Sequence, residues 1–126
     1  MGRPQAYNGS RLTVEYALAS NGCPGLDFYN AQSLRDKAKL NKLFQWLGDH
    51  GWINNKTKFK RIEETEFFEF KDIQILIPCF RQGNAMIITH GFLKKTGPIP
   101  PQEIARARRI AGEDAERQKR EAKARS

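Results

Sequence analysis

The pattern of apolar and polar residues divides the first half of the chain into a strand and a helical region. Residues 11–18 are apolar at every second position, which predicts a half-buried β-strand. A turn cluster follows it, and a short helical piece is expected over residues 26–32. From Ser33, a candidate N-cap, apolar side chains recur every two to four positions, which predicts a helix that ends at Gly48 or Gly51.

The middle of the chain is typical of β-structure. Residues 67–71 are rich in aromatic side chains, and residues 73–80 are apolar enough to lie at the centre of a sheet. A tight turn at residues 82–84 leads into residues 85–90, which we expect to return as the hairpin partner. Three successive strands therefore predict an antiparallel meander, to which the first strand can add.

The last third of the chain is predicted to be helical and then to lose its apolar face. Pro101 suits a first helical turn, and Glu103 precedes several arginines, as the helix dipole favours. Residues 113–126 contain no large apolar side chain and predict a basic tail, either helical or disordered. Residues 1–10 are expected to form a flexible leader.

This order of elements predicts a compact α+β domain over residues 11–112. About four antiparallel strands would form one sheet, the N-terminal helices would pack on one face, and a C-terminal helix would complete the domain. A chain of 126 residues is long enough for one hydrophobic core and too short for two.

The charge of the chain points to a polyanionic partner. The sequence has 22 Lys and Arg against 14 Asp and Glu, a formal net charge of +8. Nucleic acid is the usual partner of so small and basic a domain, although a charged surface can also serve solubility alone. A basic tract precedes the predicted meander, and we expect it to bind RNA; it consists of Lys56, Lys58, Lys60 and Arg61.

Several other classes of protein fit the sequence poorly. The N-terminal region lacks the apolar run of a signal peptide, and no stretch approaches the roughly 18 to 20 apolar residues of a membrane helix. We therefore expect a cytoplasmic protein with no membrane partner. Cys23 and Cys79 do not form a disulfide framework, and with His50 and His90 they show no metal-ligand spacing, so no metal or other cofactor is expected.

Two stretches resemble toxins of the RelE and ParE superfamily. Residues 67–72 (FFEFKD) are similar to the aromatic–Glu–aliphatic–basic strand of RelE-like toxins. Residues 88–110 (ITHGFLKKTGPIPPQEIARARRI) resemble the phage-derived HigB branch, in which a strand is followed by Gly-Phe, a Lys pair, a Pro-containing link and a helix that opens with Glu-Ile. Because several residues must occur in order, this combination is more specific than a Lys pair alone.

The resemblance implies a RelE-like fold and the toxin of a type II toxin–antitoxin system. Such a toxin is a metal-independent endoribonuclease, an mRNA interferase that cuts mRNA on the ribosome and inhibits translation. A cognate helix-turn-helix antitoxin would bind and silence it, and no small-molecule substrate is implied.

The residue types suit this chemistry. RNA is cleaved without a metal when its own 2′-OH attacks the neighbouring phosphate, which requires cations that hold the phosphate and a group that moves protons. By their match to the family motifs, Lys71, Lys94 and Lys95 are expected to contact phosphate. His90 is the candidate acid and base, and a structural histidine at a strand end is an equally good interpretation. In the family pattern, Glu69 is more often structural than catalytic, and it is expected to hold a neighbouring cation in place.

One departure from the family pattern bears on activity. Many members carry an arginine in the strand that follows the aromatic–Glu strand, where it faces the RNA phosphate, and residues 73–80 contain no basic side chain. Either Arg81, at the far end of that strand, or a different cation substitutes for it, or the activity is weak or absent. The alternative is a non-cleaving protein of the same fold that binds RNA or the ribosome, or that inhibits DNA gyrase as ParE relatives do.

Overall fold

The computed structural model describes residues 2–94 and 97–125. Ten helices and strands follow one another along this part of the chain. They are β1 (Gln5–Asn8), β2 (Thr13–Tyr16), α1 (Pro24–Asn30), α2 (Leu34–His50), β3 (Phe59–Arg61), β4 (Phe67–Asp72), β5 (Ile75–Gln82), β6 (Ala85–Ile88), β7 (Phe92–Leu93) and α3 (Pro101–Arg125).

The strands of the described residues form one seven-stranded mixed sheet in the order β1-β2-β6-β5-β4-β3, with β7 paired to β5 off this path. β2 and β6 are parallel, and the other pairs are antiparallel. The predicted α+β class, the meander of β4, β5 and β6, and the C-terminal helix are confirmed. The prediction of about four strands, all antiparallel, is wrong, because short polar segments add strands at both edges and β2 joins β6 in parallel.

Both ends of the chain are more ordered than the sequence suggests. Residues 5–8 lie in the segment expected to be a flexible leader, yet they form β1 and pair with β2 at the sheet edge. Just before β1, the Arg3 Nε donates to both carboxylate oxygens of Asp114, at 3.0 and 2.8 Å. Asp114 is fully buried, so the segment expected to be a basic tail continues as α3 and is anchored by a polar contact instead of an apolar face.

Helices cover both faces of the sheet. On one face, which we call the α2 face, α1 and α2 pack over the main core, which includes Val14, Phe44, Phe70, Ile77 and Met86. On the opposite face, the α3 face, α3 covers two smaller apolar clusters, which comprise Ala17, Ile87 and Ile110, and Ile62, Phe67 and Ala107. The thinner apolar layer under α3 agrees with the few apolar residues that the sequence gives this helix.

Capping residues define both ends of α2. The Ser33 hydroxyl oxygen accepts a hydrogen bond from the Asp36 N–H, and Gly51 ends the helix in the left-handed conformation at φ 80°. The turn between β1 and β2 packs against the end of this helix so closely that a Cβ on Gly9 would lie 2.1 Å from the carbonyl carbon of Gly48. Only glycine permits this contact, which holds the edge strands against α2.

Candidate active-site cleft

A buried carboxyl group lies at the centre of the α3 face. Side chains alternate along β4, so that Phe68 and Phe70 pack on the α2 face, whereas Phe67 packs on the α3 face. Glu69 therefore points to the α3 face, where the residue is only 4% exposed. Its Oε2 atom has no hydrogen-bond partner among the described residues.

Three lysines surround this carboxyl group. Lys60 is paired with Glu69 across β3 and β4, and its Nζ lies 3.7 Å from Glu69 Oε1. Lys71 lies two residues further along β4, on the same face, and Lys94 directly follows β7. Burial raises the pKa of the Glu69 carboxyl, and the charges of Lys60, Lys94 and Lys71 act against this rise without cancelling it.

These side chains line a cleft with a volume of about 590 Å³. This volume lies within the range of roughly 300 to 1,000 Å³ typical of ligand sites. One wall comes from the turn between β3 and β4, and the other comes from the segment that leads into α3. The wall residues are Ile62, Glu63, Glu64, Gly97, Pro98, Ile99 and Ile104. The Lys94 ammonium donates a hydrogen bond to the Gly97 carbonyl and so belongs to the second wall.

The cleft brings together part of the set expected from the sequence. Lys71 and Lys94 both line it, and they are joined by Lys60, which we expected in a separate RNA-binding tract. Lys95 lies outside the described residues. The central position of Glu69 was not foreseen, although a single carboxylate between aromatic residues of a buried strand is a signal for it.

His90 is placed in the protein interior and does not line the cleft. Its Nε2 lies 3.1 Å from Glu103 Oε1, its Nδ1 lies 3.0 Å from the Thr89 hydroxyl, and its ring stacks on Phe92. A carboxylate can only accept, so the neutral ring carries its proton on Nε2. Burial, with the charge of Arg106, lowers the pKa of His90 to about 4. These contacts fit the structural interpretation of His90, which ties the end of the sheet to α3.

Arg81 lies on the other side of the sheet from Glu69. It pairs with Met86, a residue of the α2 face, and its Nε donates to the Gly83 carbonyl at 2.8 Å. The β5 residue that pairs with Lys71 is Leu76, which is 1% exposed. The expected substitution of Arg81 for the family arginine therefore does not occur in this cleft.

The basic tract divides between the two faces of the sheet. Lys58 lies 3.2 Å from Asp72 Oδ1, whereas Lys60 lies in the cleft. The Arg61 Nε donates to the Thr65 carbonyl, and Lys56 is exposed in the preceding turn. The tract is thus not one continuous RNA-binding surface.

Comparisons with known proteins add no family assignment. The chain matches no protein-family model, and no curated protein matches it. None of the described helices is long and apolar enough to cross a membrane. Within residues 2–94 and 97–125, no three His, Cys, Asp or Glu side chains are grouped so that they could hold a metal ion.

Proposed function

We propose that the protein is a ribosome-dependent mRNA endoribonuclease, the toxin of a type II toxin–antitoxin system, and that the cleft around Glu69 is its active site. The observation that carries this proposal is the arrangement of three lysines around a buried carboxyl group. One oxygen of this group has no hydrogen-bond partner among the described residues. Carboxyl groups with perturbed pKa values in clefts are typical of acid–base sites.

The proposed reaction uses the 2′-OH of the RNA as its nucleophile. The Glu69 carboxylate accepts the proton of this hydroxyl, the bond between O2′ and phosphorus forms, and the bond between phosphorus and O5′ breaks. Lys71 or Lys94 protonates the leaving oxygen, so the products end in a 2′,3′-cyclic phosphate and a 5′-hydroxyl. The lysines also stabilise the negative charge that develops on the phosphate oxygens.

The position of Leu76 favours a second candidate function. This side chain is buried opposite Lys71, where an arginine would face a phosphate bound in the cleft. A protein of the same kind without this cation can bind RNA or the ribosome and not cut it. In this second candidate, the lysines supply affinity alone, and Glu69 balances their charge.

Both candidates require control of an exposed cleft whose three lysines lie beside Glu63, Glu64 and Glu69. We propose that a helix-turn-helix antitoxin in the same cytoplasm covers the cleft with acidic side chains close to Lys60, Lys71 and Lys94. Because exposed ion pairs weaken as ionic strength rises, the dissociation constant of this complex should increase with salt.

Mapping of mRNA 5′ ends by primer extension after induction of the protein in bacteria tests the proposed function. The variant is Lys71→Ala/Lys94→Ala, and the matched control is Lys42→Ala/Lys119→Ala, which removes two exposed lysines outside the cleft. The proposal predicts new cuts within translated frames for the wild type and the control, and their loss in the cleft variant. Growth arrest without cuts would favour the second candidate, and cuts that persist in the cleft variant would contradict the site.

A further inference from the structure

An exposed indole packs on one buried and one partly buried aromatic ring at the edge of the sheet. Trp52, in the loop after α2, is 48% exposed. Its ring meets Phe59 at 5.2 Å and Phe68 at 5.7 Å, both in edge-on geometry. The two phenylalanine rings stack on each other at 5.6 Å with an interplanar angle of 6°, and Phe59 is 1% exposed. The indole is therefore held by a packed support while about half of it faces solvent. We call Trp52 with these two rings the Trp52 platform.

Cations lie on the chain that leaves the platform. Residues 54–61 contain four basic side chains and no acidic one. Arg61 pairs with Phe68, so it projects from the α2 face beside the platform, and Lys56 is exposed in the turn between Trp52 and β3. An aromatic ring with flanking cations is complementary to a nucleobase and its phosphates, because the base stacks and the phosphates are neutralised.

The platform and the cleft lie on the two sides of one short edge strand. β3 ends the sheet and contains only three residues. Its central residue, Lys60, faces Glu69 in the cleft, whereas Phe59 and Arg61 point to the platform side. A single strand of RNA that passes over this edge can place a phosphate beside Lys60 and a neighbouring base beside Trp52.

We infer that the Trp52 platform is a second subsite for single-stranded RNA, in which an unpaired base stacks on the indole and the adjoining phosphates contact Arg61 and Lys56. This inference rests on the proposed function, since it extends the RNA path from the cleft around the edge of the sheet. Because every base can stack on the indole ring, the subsite accepts any unpaired base.

Fluorescence anisotropy of a labelled oligouridine at low salt tests the subsite. Trp52→Leu keeps an apolar side chain but removes the aromatic face, and Trp52→Phe keeps an aromatic face. Because stacking on one base contributes roughly 1–3 kcal/mol, Trp52→Leu should raise the dissociation constant roughly 5- to 150-fold. Trp52→Phe should recover most of the affinity. Trp46→Leu, at the other exposed tryptophan, should bind as the wild type does.

A second readout reports stacking directly, even if Trp52→Leu unfolds. In a Trp46→Phe protein, Trp52 is the remaining tryptophan of the chain. Its fluorescence should be quenched by oligouridine and much less by an oligomer of abasic ribose phosphate. Equal quenching by the two oligomers would overturn the stacking.

The outcomes separate this inference from the proposed function. Unchanged affinity in Trp52→Leu, with weaker binding in Lys71→Ala/Lys94→Ala, would overturn the platform and leave the cleft in place. Weaker binding in Trp52→Leu alone would support the platform and contradict the cleft. Absence of oligouridine binding by the wild type would overturn both the platform and the cleft. If Trp52→Leu kept its RNA affinity but lost binding to a protein partner, Trp52 would belong to a protein interface instead.

Discussion

At the scale of single residues, Glu69 shows a conflict between stability and chemistry. Its neighbours in β4 are aromatic, and removal from water disfavours the ionised form of the carboxyl group. The three lysines favour that form, yet the pKa of Glu69 stays above its ordinary value. A group whose pKa is raised by folding stabilises the fold below its unfolded pKa, and this contribution is lost as pH rises through the folded pKa. Ionisation of Glu69 as pH rises through its folded pKa therefore lowers the stability of the fold.

Replacement of this carboxyl group by an amide should stabilise the protein. Glu69→Gln removes the buried ionisable group, so the free energy of unfolding at neutral pH should rise by roughly 0.5–2 kcal/mol, the usual gain from a single stabilising substitution. Urea unfolding at neutral pH measures this difference. Glu116→Gln, on the exposed side of α3, is the control. A less stable Glu69→Gln protein would instead assign Glu69 to a structural ion pair with Lys60.

His90 should make the stability of the fold depend on pH on the acid side. Its pKa is lowered from 6.5 to about 4, so its contribution to stability is present above the unfolded pKa and is lost as pH falls through the folded pKa. Between about pH 6.5 and pH 4, the wild type should lose on the order of 3 kcal/mol through this group.

Thermal unfolding over this pH range measures that loss. His90→Gln, which keeps a donor for Glu103, should show a flatter pH dependence, whereas His50→Gln, at the exposed end of α2, should behave as the wild type. Identical pH profiles of His90→Gln and the wild type would contradict the buried neutral histidine.

At the scale of elements, the sequence predicted what local signals determine. The helical spacing and cap residues define α2, and the turn residues around Gly83 define the hairpin of β5 and β6. β1 and β3 were missed because QAYN and FKR are short and carry little apolar pattern, so long-range pairing decides their conformation. The place of Lys60 was missed for the same reason, because this side chain reaches Glu69 only through the register of β3. Lys71 and Lys94, in contrast, lie in the two stretches that the sequence analysis singled out.

At the turn between β4 and β5, the apolar pattern placed the start of the strand too early. The strand was expected to start at Ile73, yet this residue lies in the turn, 72% exposed and at φ 54°. A β-branched side chain is strained in this left-handed region, which asparagine tolerates far better. Ile73→Asn should therefore raise the free energy of unfolding by about 1 kcal/mol, and Ile73→Val should not. Urea unfolding measures both, and equal stability of the two variants would contradict the positive φ.

At the scale of the whole molecule, an ion pair joins the segment before β1 to the middle of α3. Arg3 precedes β1, and Asp114 lies in the middle of α3, yet their side chains meet with relative exposures of 11% and 1%. Asp114 also accepts a hydrogen bond from the Leu18 N–H, so the N-terminal edge of the sheet and α3 share one buried carboxylate. α3 in turn carries the wall of the cleft, which makes this distant contact part of the support of the site.

Loss of the Arg3 side chain should be costly because it leaves this buried carboxylate without its cation. Arg3→Ala is expected to lower the free energy of unfolding by roughly 3–5 kcal/mol. Arg108→Ala removes an exposed pair with Glu66 and should change it by less than about 1 kcal/mol. Chemical denaturation measures the free energy of unfolding of both variants. Equal losses in the two variants would show that the Arg3–Asp114 pair does not hold α3 to the sheet.

Cleavage of mRNA on ribosomes by the purified protein tests most directly whether the cleft around Glu69 cuts RNA, as we propose. The products should carry 2′,3′-cyclic phosphate ends, and the rate should be on the order of 100- to 10,000-fold lower for Glu69→Gln and unchanged for Glu116→Gln. Cleavage by Glu69→Gln at the wild-type rate, or products with 5′-phosphate ends, would contradict this proposal.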